Sequence, residues 1–529
     1  MPKPKTFILA FLSGILLSFP WLAQGLDMTL CIAFYPLLFA EEQLISQKVT
    51  RFNVFFLHSF LAFFTWNILS TWWIAHVSIS GMLLITLLNS MVMSLVWSLR
   101  HPIRQKFGIL LSYFSLIVFW LSFEFIQHHS AIPWPWLTLG NGFADNVKII
   151  QWYEFTGVFG GSVWLLLLNI LVFNASVNPT LAGKVKGLAI ALLVLVFPIL
   201  VSLVLYENYR EKGNSLNVLV IQPNIDPFTE KFSGISPENQ INRILNLAKE
   251  NTNDSINMVA APETAWPSFS EDSALIGENS LKRSEEIFRS GTMMYFLTGA
   301  LTRRPRIDFC GQSESESYNS AVFIDSEMNV QVSHKNILVN GVERMPFQNY
   351  FTFLDGLLLN LGGEEGSLRP GEKPDLFSIA NLGKVGPVIC YESVYGEYVS
   401  RMANSGANLL VVITNDGWWR QSSGVWQHFM YSKIRAIETR RTIVRSANTG
   451  ISGFINQRGD VVLRTKVGET GAVKSSVRLN REQTFYARNG DYIGRICVLI
   501  SVLIGCLWIL SGDKAKKIRI NSIVKIPNK

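Results

Sequence analysis

Charge is scarce in this sequence: only 16% of its 529 residues are charged, while 49% are hydrophobic. A soluble enzyme of this size carries more charge on its surface, so the composition points to a membrane protein. Cysteine and histidine are scarce as well, at five and seven residues. No His/Cys cluster has metal-ligand spacing, and no glycine-rich loop is set to cradle a phosphate. Neither a metal nor a nucleotide or other cofactor is therefore expected. Cys31, Cys497 and Cys506 fall in apolar stretches and read as small packing residues. Only Cys310 and Cys390 lie elsewhere. An oxidising compartment permits a disulfide between them, but two cysteines make a thin framework.

What the sequence does have is long apolar runs. Seven lie before residue 207, at 7–23, 26–41, 54–75, 80–98, 108–126, 160–178 and 187–206, and an eighth lies at 492–511. Each is close to the roughly 20 residues a helix needs to cross a bilayer. The second is short and contains Pro36. Lys3 and Lys5 before the first run resemble the start of a signal peptide, but further spans follow and the cleavage pattern is poor, so the run is read as a retained span.

Lysine and arginine set the orientation. They occur before the first span, in the connections at 42–53, 99–107 and 179–186, and in the tail after 511. The alternate connections have none, apart from Lys148 in 127–159. Basic connections stay in the cytoplasm, which places both termini inside and residues 207–491 outside. The net charge of +8 is then largely a topology signal, and no nucleic-acid partner is expected. Within the spans Glu124 is the main ionisable residue, which counts against a transporter.

Residues 207–491 change character: short β-rich runs alternate with helical patterns, the signature of a layered α/β domain. Expected strands are Asn217–Ile221, Ile256–Ala261, Tyr295–Ala300 and Asn408–Thr414. Expected hairpins pair Ala321–Asp325 with Val330–Ser333, Leu376–Ala380 with Val385–Ile389, and Thr442–Ala447 with Ile451–Asn456. A helix opens at Ser236 with Pro237 and Glu238 in its first turn, and another covers roughly 424–440. The organisation is a bundle at 1–206, an outer domain at 207–491, and a last span with a basic tail at 492–529.

Polar residues stand just past several strands: Glu263, Cys390 with Glu392, and Asn415 with Asp416. Strand ends are where open sheets gather their sites. A thiol with an ordinary pKa near 8.5 is mostly protonated at neutral pH, so Cys390 needs a base, and a cation to steady developing negative charge. His334 and His428 lack sequence neighbours that suggest a Cys-His pair. Glu263, in Ala261-Pro262-Glu263-Thr264, and Lys335, in Val332-Ser333-His334-Lys335, are the better candidates. Taken singly, each of the three has an ordinary reading as a turn residue, a solvated charge or a packed thiol.

In order, Glu263, Lys335 and Cys390 resemble the Glu-Lys-Cys triad of the nitrilase, or carbon–nitrogen hydrolase, superfamily, with PET, HKNILVNGVE and VICYE as the local motifs. With seven spans before that domain and one after it, the chain is similar to the apolipoprotein N-acyltransferase family of Gram-negative bacteria. The stretch PWPWLTLGNGFADNVKIIQWYEFTGVFGG from Pro133 to Gly161 resembles a loop of that family. The resemblance implies a helical membrane bundle of about eight spans with an extramembrane αββα sandwich on the periplasmic side of the bacterial inner membrane. It implies Glu263 as general base, Cys390 as nucleophile and Lys335 as oxyanion partner. Glu343, Tyr391, Glu392, Asn319 and Trp418 match supporting positions. A glycerophospholipid would be the acyl donor and a diacylglyceryl apolipoprotein the acceptor, through a thioester.

Two departures stand out. Asn340-Gly341-Val342 replaces the family's Pro-Phe-Gly before the second glutamate, and a family tryptophan is absent, with Phe232 nearby. Residues 345–361, rich in aromatics and leucine and followed by Gly362-Gly363, are expected to enter the lipid interface, with Trp418, Trp419 and Trp426 as further anchors. Other readings are an amidase with water as acceptor and a non-catalytic lipid-binding scaffold.

Overall fold

The computed structural model describes residues 4–231, 234–271, 282–288, 295–307, 313–344 and 368–511. The chain folds as two compact units, Met1–Asn208 with Asp491–Lys529, and Tyr209–Gly490.

In the first unit, eight helices among the described residues are long and apolar enough to cross a membrane: Pro4–Leu22, Asp27–Ser46, Phe52–His76, Ile79–Phe107, Ile109–His129, Tyr153–Val177, Leu181–Asn208 and Tyr492–Leu510. This is a multi-pass membrane protein. Leu192, Leu193 and Phe197 on the seventh helix stand exposed, which suits a lipid solvent and not water. Small residues face inward and let the helices close up. A Cβ on Gly14 would lie 2.3 Å from the Ala62 carbonyl oxygen. The second span is broken, a 3-10 turn at Asp27–Cys31 followed by a helix at Tyr35–Ser46. Pro36 sits in that helix's first turn, where no intrahelical donor is lost.

The expectation that Glu124 is the main ionisable residue of the spans needs correction. Asp27, Glu41, Glu42, His58, Arg100, His101 and Arg104 are buried there too. Arg104 grips Glu42 with two hydrogen bonds of 2.7 and 3.1 Å. Glu41 pairs with Arg100 and accepts from Trp97 Nε1 at 2.9 Å. Each partner lies more than fifty residues away in sequence, so the run ending at residue 41 reads as the edge of a loop. Paired in this way, the charges satisfy one another inside the bundle.

The second unit holds two sheets. The first contains β1 (Asn214–Gln222), β2 (Met258–Ala260), β3 (Trp266–Ser270), β4 (Tyr295–Ile307), β5 (Ser313–Asp325), β6 (Val330–His334) and β13 (Gly471–Leu479). The second contains β7 (Phe377–Ile379), β8 (Gly383–Ile389), β9 (Leu409–Thr414), β10 (Ile443–Ala447), β11 (Gly453–Ile455) and β12 (Val461–Arg464). Val218, Val220, Leu297 and Phe323 of one sheet share a core with Val385, Leu409, Val411 and Val444 of the other. Outside the first sheet, helix Pro237–Asn251 buries Ile241, Ile244 and Leu245 against Leu219, Ile221 and Val259. Helix Ser423–Thr439 packs on β10 and β11 of the second sheet, with helix Gly396–Asn404 beside it. The layering is αββα.

Local signals explain much of this. Ser236 caps its helix by accepting from Asn239 N at 3.3 Å, and Pro237 takes the first position. The run LLVVIT of β9 is buried along its whole length, as a parallel strand covered on both faces should be. β13 lacked such a signal. Lys474, Ser476 and Arg478 face solvent and its middle is Lys474-Ser475-Ser476, yet it pairs antiparallel with β1 along nine residues. Parallel β1, β2 and β4, and parallel β8, β9 and β10, direct their carboxyl ends the same way within each sheet.

Candidate active site

Three strand ends deliver the chemistry. Glu263 follows β2 by three residues, beside Thr264 at φ 47°. Gly299 of β4 lies directly against it: a Cβ there would sit 2.6 Å from Glu263 Cα and 2.5 Å from Thr264 N. Lys335 is the first residue after β6, and its N–H donates to the Asn319 carbonyl of β5 at 2.8 Å. Cys390 is the first residue after β8 and takes φ 51°, in the left-handed region.

The structure draws four of the expected residues into one buried cluster. The Lys335 Nζ lies 3.0 Å from Glu263 Oε1 and 2.9 Å from Glu343 Oε1. Asn319 Nδ2 donates to the same two oxygens, at 2.8 Å each. The second oxygen of Glu263 accepts from Asn415 N at 3.0 Å, and that of Glu343 from Val339 N at 2.7 Å. The Asn340-Gly341-Val342 departure still returns Glu343 to Lys335. Gly341 takes φ 79°, and Glu343 N donates to the Val339 carbonyl at 2.9 Å.

The charges follow from this packing. Burial by itself would raise Glu263, but the Lys335 charge and the Asn319 and Lys335 hydrogen bonds outweigh it and hold the carboxyl below its usual value. Burial opposes the Lys335 charge, yet Glu263 and Glu343, with Cys390 beyond them, hold the ammonium protonated well above its ordinary range. Cys390 is pushed strongly up, first by burial and then by Glu263, with Lys335 pulling the other way. The resting thiol is therefore protonated and stands within the field of both a carboxylate and an ammonium.

Glu392 follows Cys390 by two residues and is buried as well. One oxygen accepts from Asn336 N at 2.6 Å and Ile337 N at 3.3 Å, the other from Ile389 N at 2.8 Å. It ties the segment after Lys335 to the strand before Cys390, so its part is to set the spacing between them. Burial pushes its carboxyl up to about 7, against the hydrogen bonds from Ile389, Asn336 and Tyr398. A carboxyl raised in the folded state contributes stability that is present below its ordinary 4.5 and is lost as pH rises through about 7. Glu392→Gln should therefore flatten the pH dependence of thermal unfolding between these two values. A profile as steep as wild type would show that another group carries it.

Tyr391 turns to Tyr395, edge to face at 5.2 Å between centroids. Trp418 packs edge to face on Phe228 at 5.3 Å, Trp419 on His428 at 5.3 Å, and Trp426 lies beneath Arg464 at 5.2 Å. Phe232, Cys310, residues 345–361 and Gly362-Gly363 lie outside the described residues, and with them the interfacial segment and the Cys310–Cys390 pairing.

Sequence reasoning missed Lys231, whose ammonium bonds the Thr264 hydroxyl beside Glu263. Burial pulls it down to about 8 while Glu263 opposes the fall. It missed His428 as a neighbour of Cys390 as well: the ring Nε2 lies 3.1 Å from the Cys390 carbonyl oxygen, not at the thiol. Neither contact has a signature at short sequence range. Lys231 is the one lysine in the stretch between β1 and helix Pro237–Asn251, which offered a weak hint.

Residues 13–171 match the apolipoprotein N-acyltransferase N-terminal domain, and residues 220–486 match the carbon-nitrogen hydrolase domain. An apolipoprotein N-acyltransferase of Chlorobaculum tepidum is 28% identical over 521 residues, covering 94% of this chain and 95% of that one. One of Geobacter metallireducens is 26% identical over 519 residues, covering 95% of each. Among solved structures, Nit3 of Saccharomyces cerevisiae, a member of the nitrilase superfamily, is similar over 50% of this chain and 90% of its own, with 13% identity and a TM-score of 0.38. The chain thus belongs to the carbon–nitrogen hydrolase family and, within it, to the apolipoprotein N-acyltransferases.

Proposed function

We propose that the protein moves a fatty acyl chain from a membrane glycerophospholipid, through a thioester on Cys390, to the N-terminal amine of the diacylglyceryl-cysteine of an apolipoprotein. The observation that carries this reading is the buried Lys335 held between Glu263 and Glu343 within the field of the Cys390 thiol. Glu263 takes the thiol proton and the thiolate adds to the ester carbonyl. Lys335 faces the oxyanion with a charge that is already in place. The adduct collapses, the C–O bond breaks, and the lysophospholipid leaves with the proton Glu263 had taken. The apolipoprotein amine then adds to the thioester carbonyl, Glu263 receives the amine proton, and the C–S bond breaks. The released sulfur recovers that proton, which closes a ping-pong cycle.

A thioester is a better acceptor for an amine than an ester is, so splitting the transfer at sulfur makes chemical sense. The basic connections favour a bundle at 1–206 and a final span with a basic tail at 492–529 in the bacterial inner membrane, with residues 207–491 on the periplasmic side. An amidase with water as acceptor uses the same cluster, but would release free fatty acid or ammonia without any acceptor lipopeptide.

Mass spectrometry separates these readings. The full-length protein, incubated with phospholipid bilayers, should carry an acyl group on the peptide containing Cys390. A lipopeptide with a free N-terminal amine should discharge it, and an N-acetylated one should not. An unmodified Cys390 under turnover conditions would refute the covalent scheme.

A further inference from the structure

Cys390 holds a backbone conformation that a side chain other than glycine's adopts at a cost. A φ of 51° lies in the left-handed region, where a Cβ crowds the following carbonyl oxygen. Such residues persist where their surroundings over-determine them. At the Cys390 carbonyl stands a group that does this. The Cys390 carbonyl accepts from Ser393 Oγ at 2.8 Å and lies 3.1 Å from His428 Nε2. Ser393 Oγ and His428 Nε2 are themselves 2.8 Å apart.

The far side of the imidazole is fixed just as closely. His428 Nδ1 lies 2.8 Å from Asp416 Oδ1 and 2.9 Å from Arg445 Nη2. Arg445 donates to the other Asp416 oxygen at 2.8 Å and to Ser432 Oγ at 3.2 Å. Thr414 completes the ring, donating to Asp416 Oδ1 at 2.8 Å and hydrogen-bonding the Cys390 side chain. Ser393, Thr414, Asp416, His428 and Arg445 are all fully buried. A Cβ at Gly450 would lie 2.4 Å from Asp416 Oδ2, so only glycine fits beside this carboxylate.

The order Ser393, His428, Asp416 has the spacing of a hydrolytic triad, but no substrate reaches a fully buried serine whose hydroxyl is engaged by a carbonyl. The network closes on the nucleophile's own backbone and side chain instead. We propose that His428 is a positioning residue: braced by Asp416 and Arg445, it holds the Cys390 carbonyl together with Ser393 and so fixes the strained strand end that presents the thiol. This rests on the acyl-transfer reading and deepens it. A nucleophile that relaxes by about an ångström can lose on the order of 10²-fold in rate with binding unchanged.

The test uses the full-length protein in bilayer discs and follows single-turnover acylation of Cys390 against phospholipid concentration. In His428→Ala the maximal rate should fall about 10- to 100-fold, while the half-saturating donor concentration stays within about threefold. His428→Gln places an amide N–H near the carbonyl and should regain most of the rate. Ser393→Ala removes one hydrogen bond with little change of volume and should lie between. Wild-type rates in His428→Ala overturn the proposal. So does a His428→Gln protein that melts like wild type and acylates no faster than the alanine variant. If His428→Ala fails to fold, Ser393→Ala decides alone: a lowered maximal rate supports the proposal and a wild-type rate overturns it. If the wild-type protein never carries an acyl group, the acyl-transfer reading has failed instead. Alkylation of Cys390 by chloroacetamide then reads the strand end directly. A rate about tenfold lower in the variant supports positioning, and equal rates overturn it.

Discussion

Cys390→Ser should lower acyl transfer to a diacylglyceryl lipopeptide by at least about 10³-fold, because the proposed thioester needs this sulfur. A serine hydroxyl in the same place would have to ionise from a far higher starting pKa. Burial and the Glu263 carboxylate already push the more acidic thiol strongly up. The variant should still fold. Cys390 contributes a small buried side chain to the core between the sheets, and the carbonyl bonds from Ser393 and His428 remain. Thermal unfolding within a few degrees of wild type, together with loss of transfer, would assign the defect to chemistry. Retention of a tenth of the wild-type rate would remove Cys390 as nucleophile.

Glu263→Gln is the second large effect, expected at about 10²- to 10⁴-fold in rate. Glutamine keeps an oxygen that can accept from Lys335, Asn319 or Asn415, so the frame around it survives while the base is lost. Removing this carboxylate takes away a negative charge that raises Cys390 and leaves Lys335 less opposed. The thiol of the variant should therefore ionise at lower pH than in wild type. Its small residual rate should climb with pH through the alkaline range, where wild type is already level. A residual rate independent of pH would count against Glu263 as the group that takes the thiol proton.

The same substitution has a stability arm. The Glu263 carboxyl is held below its ordinary 4.5, so it contributes stability above that value, which is lost as pH falls through the lower folded-state value. Wild type should lose stability on acidification below about pH 4.5, and Glu263→Gln should lose less there, having surrendered that contribution already at neutral pH. Equal acid profiles would place the acid-labile contribution elsewhere.

The sequence by itself determined the parts that local physics controls. Apolar length determined the spans: a run of about 20 residues with few charges has no other stable home. Strand ends and turns were legible where caps and glycines speak locally, as at Ser236-Pro237 and Asn381-Leu382-Gly383, the turn between β7 and β8. Glu263, Lys335 and Cys390 stood out because each directly follows a β-rich run and their order resembled a known family. Tertiary structure decided the rest. β13 became a strand because β1 offered it an unpaired edge, not because of its own pattern. Glu41, Glu42, Arg100 and Arg104 could be buried because partners from distant segments neutralise them.

The role of Glu392 was decided in the same way. In sequence it is a neighbour of Cys390, while in the fold it bonds three backbone N–H groups and sets the distance between two segments. His428 went furthest from expectation. Nothing near it in sequence suggests a thiol, but helix Ser423–Thr439 lays it against the Cys390 carbonyl. Sequence patterns report hydrophobic period, length and turn chemistry, which act over a few residues. A contact 38 positions apart exists only after a helix has packed on its sheet, and a hydrogen bond 152 positions apart only after two sheets have packed.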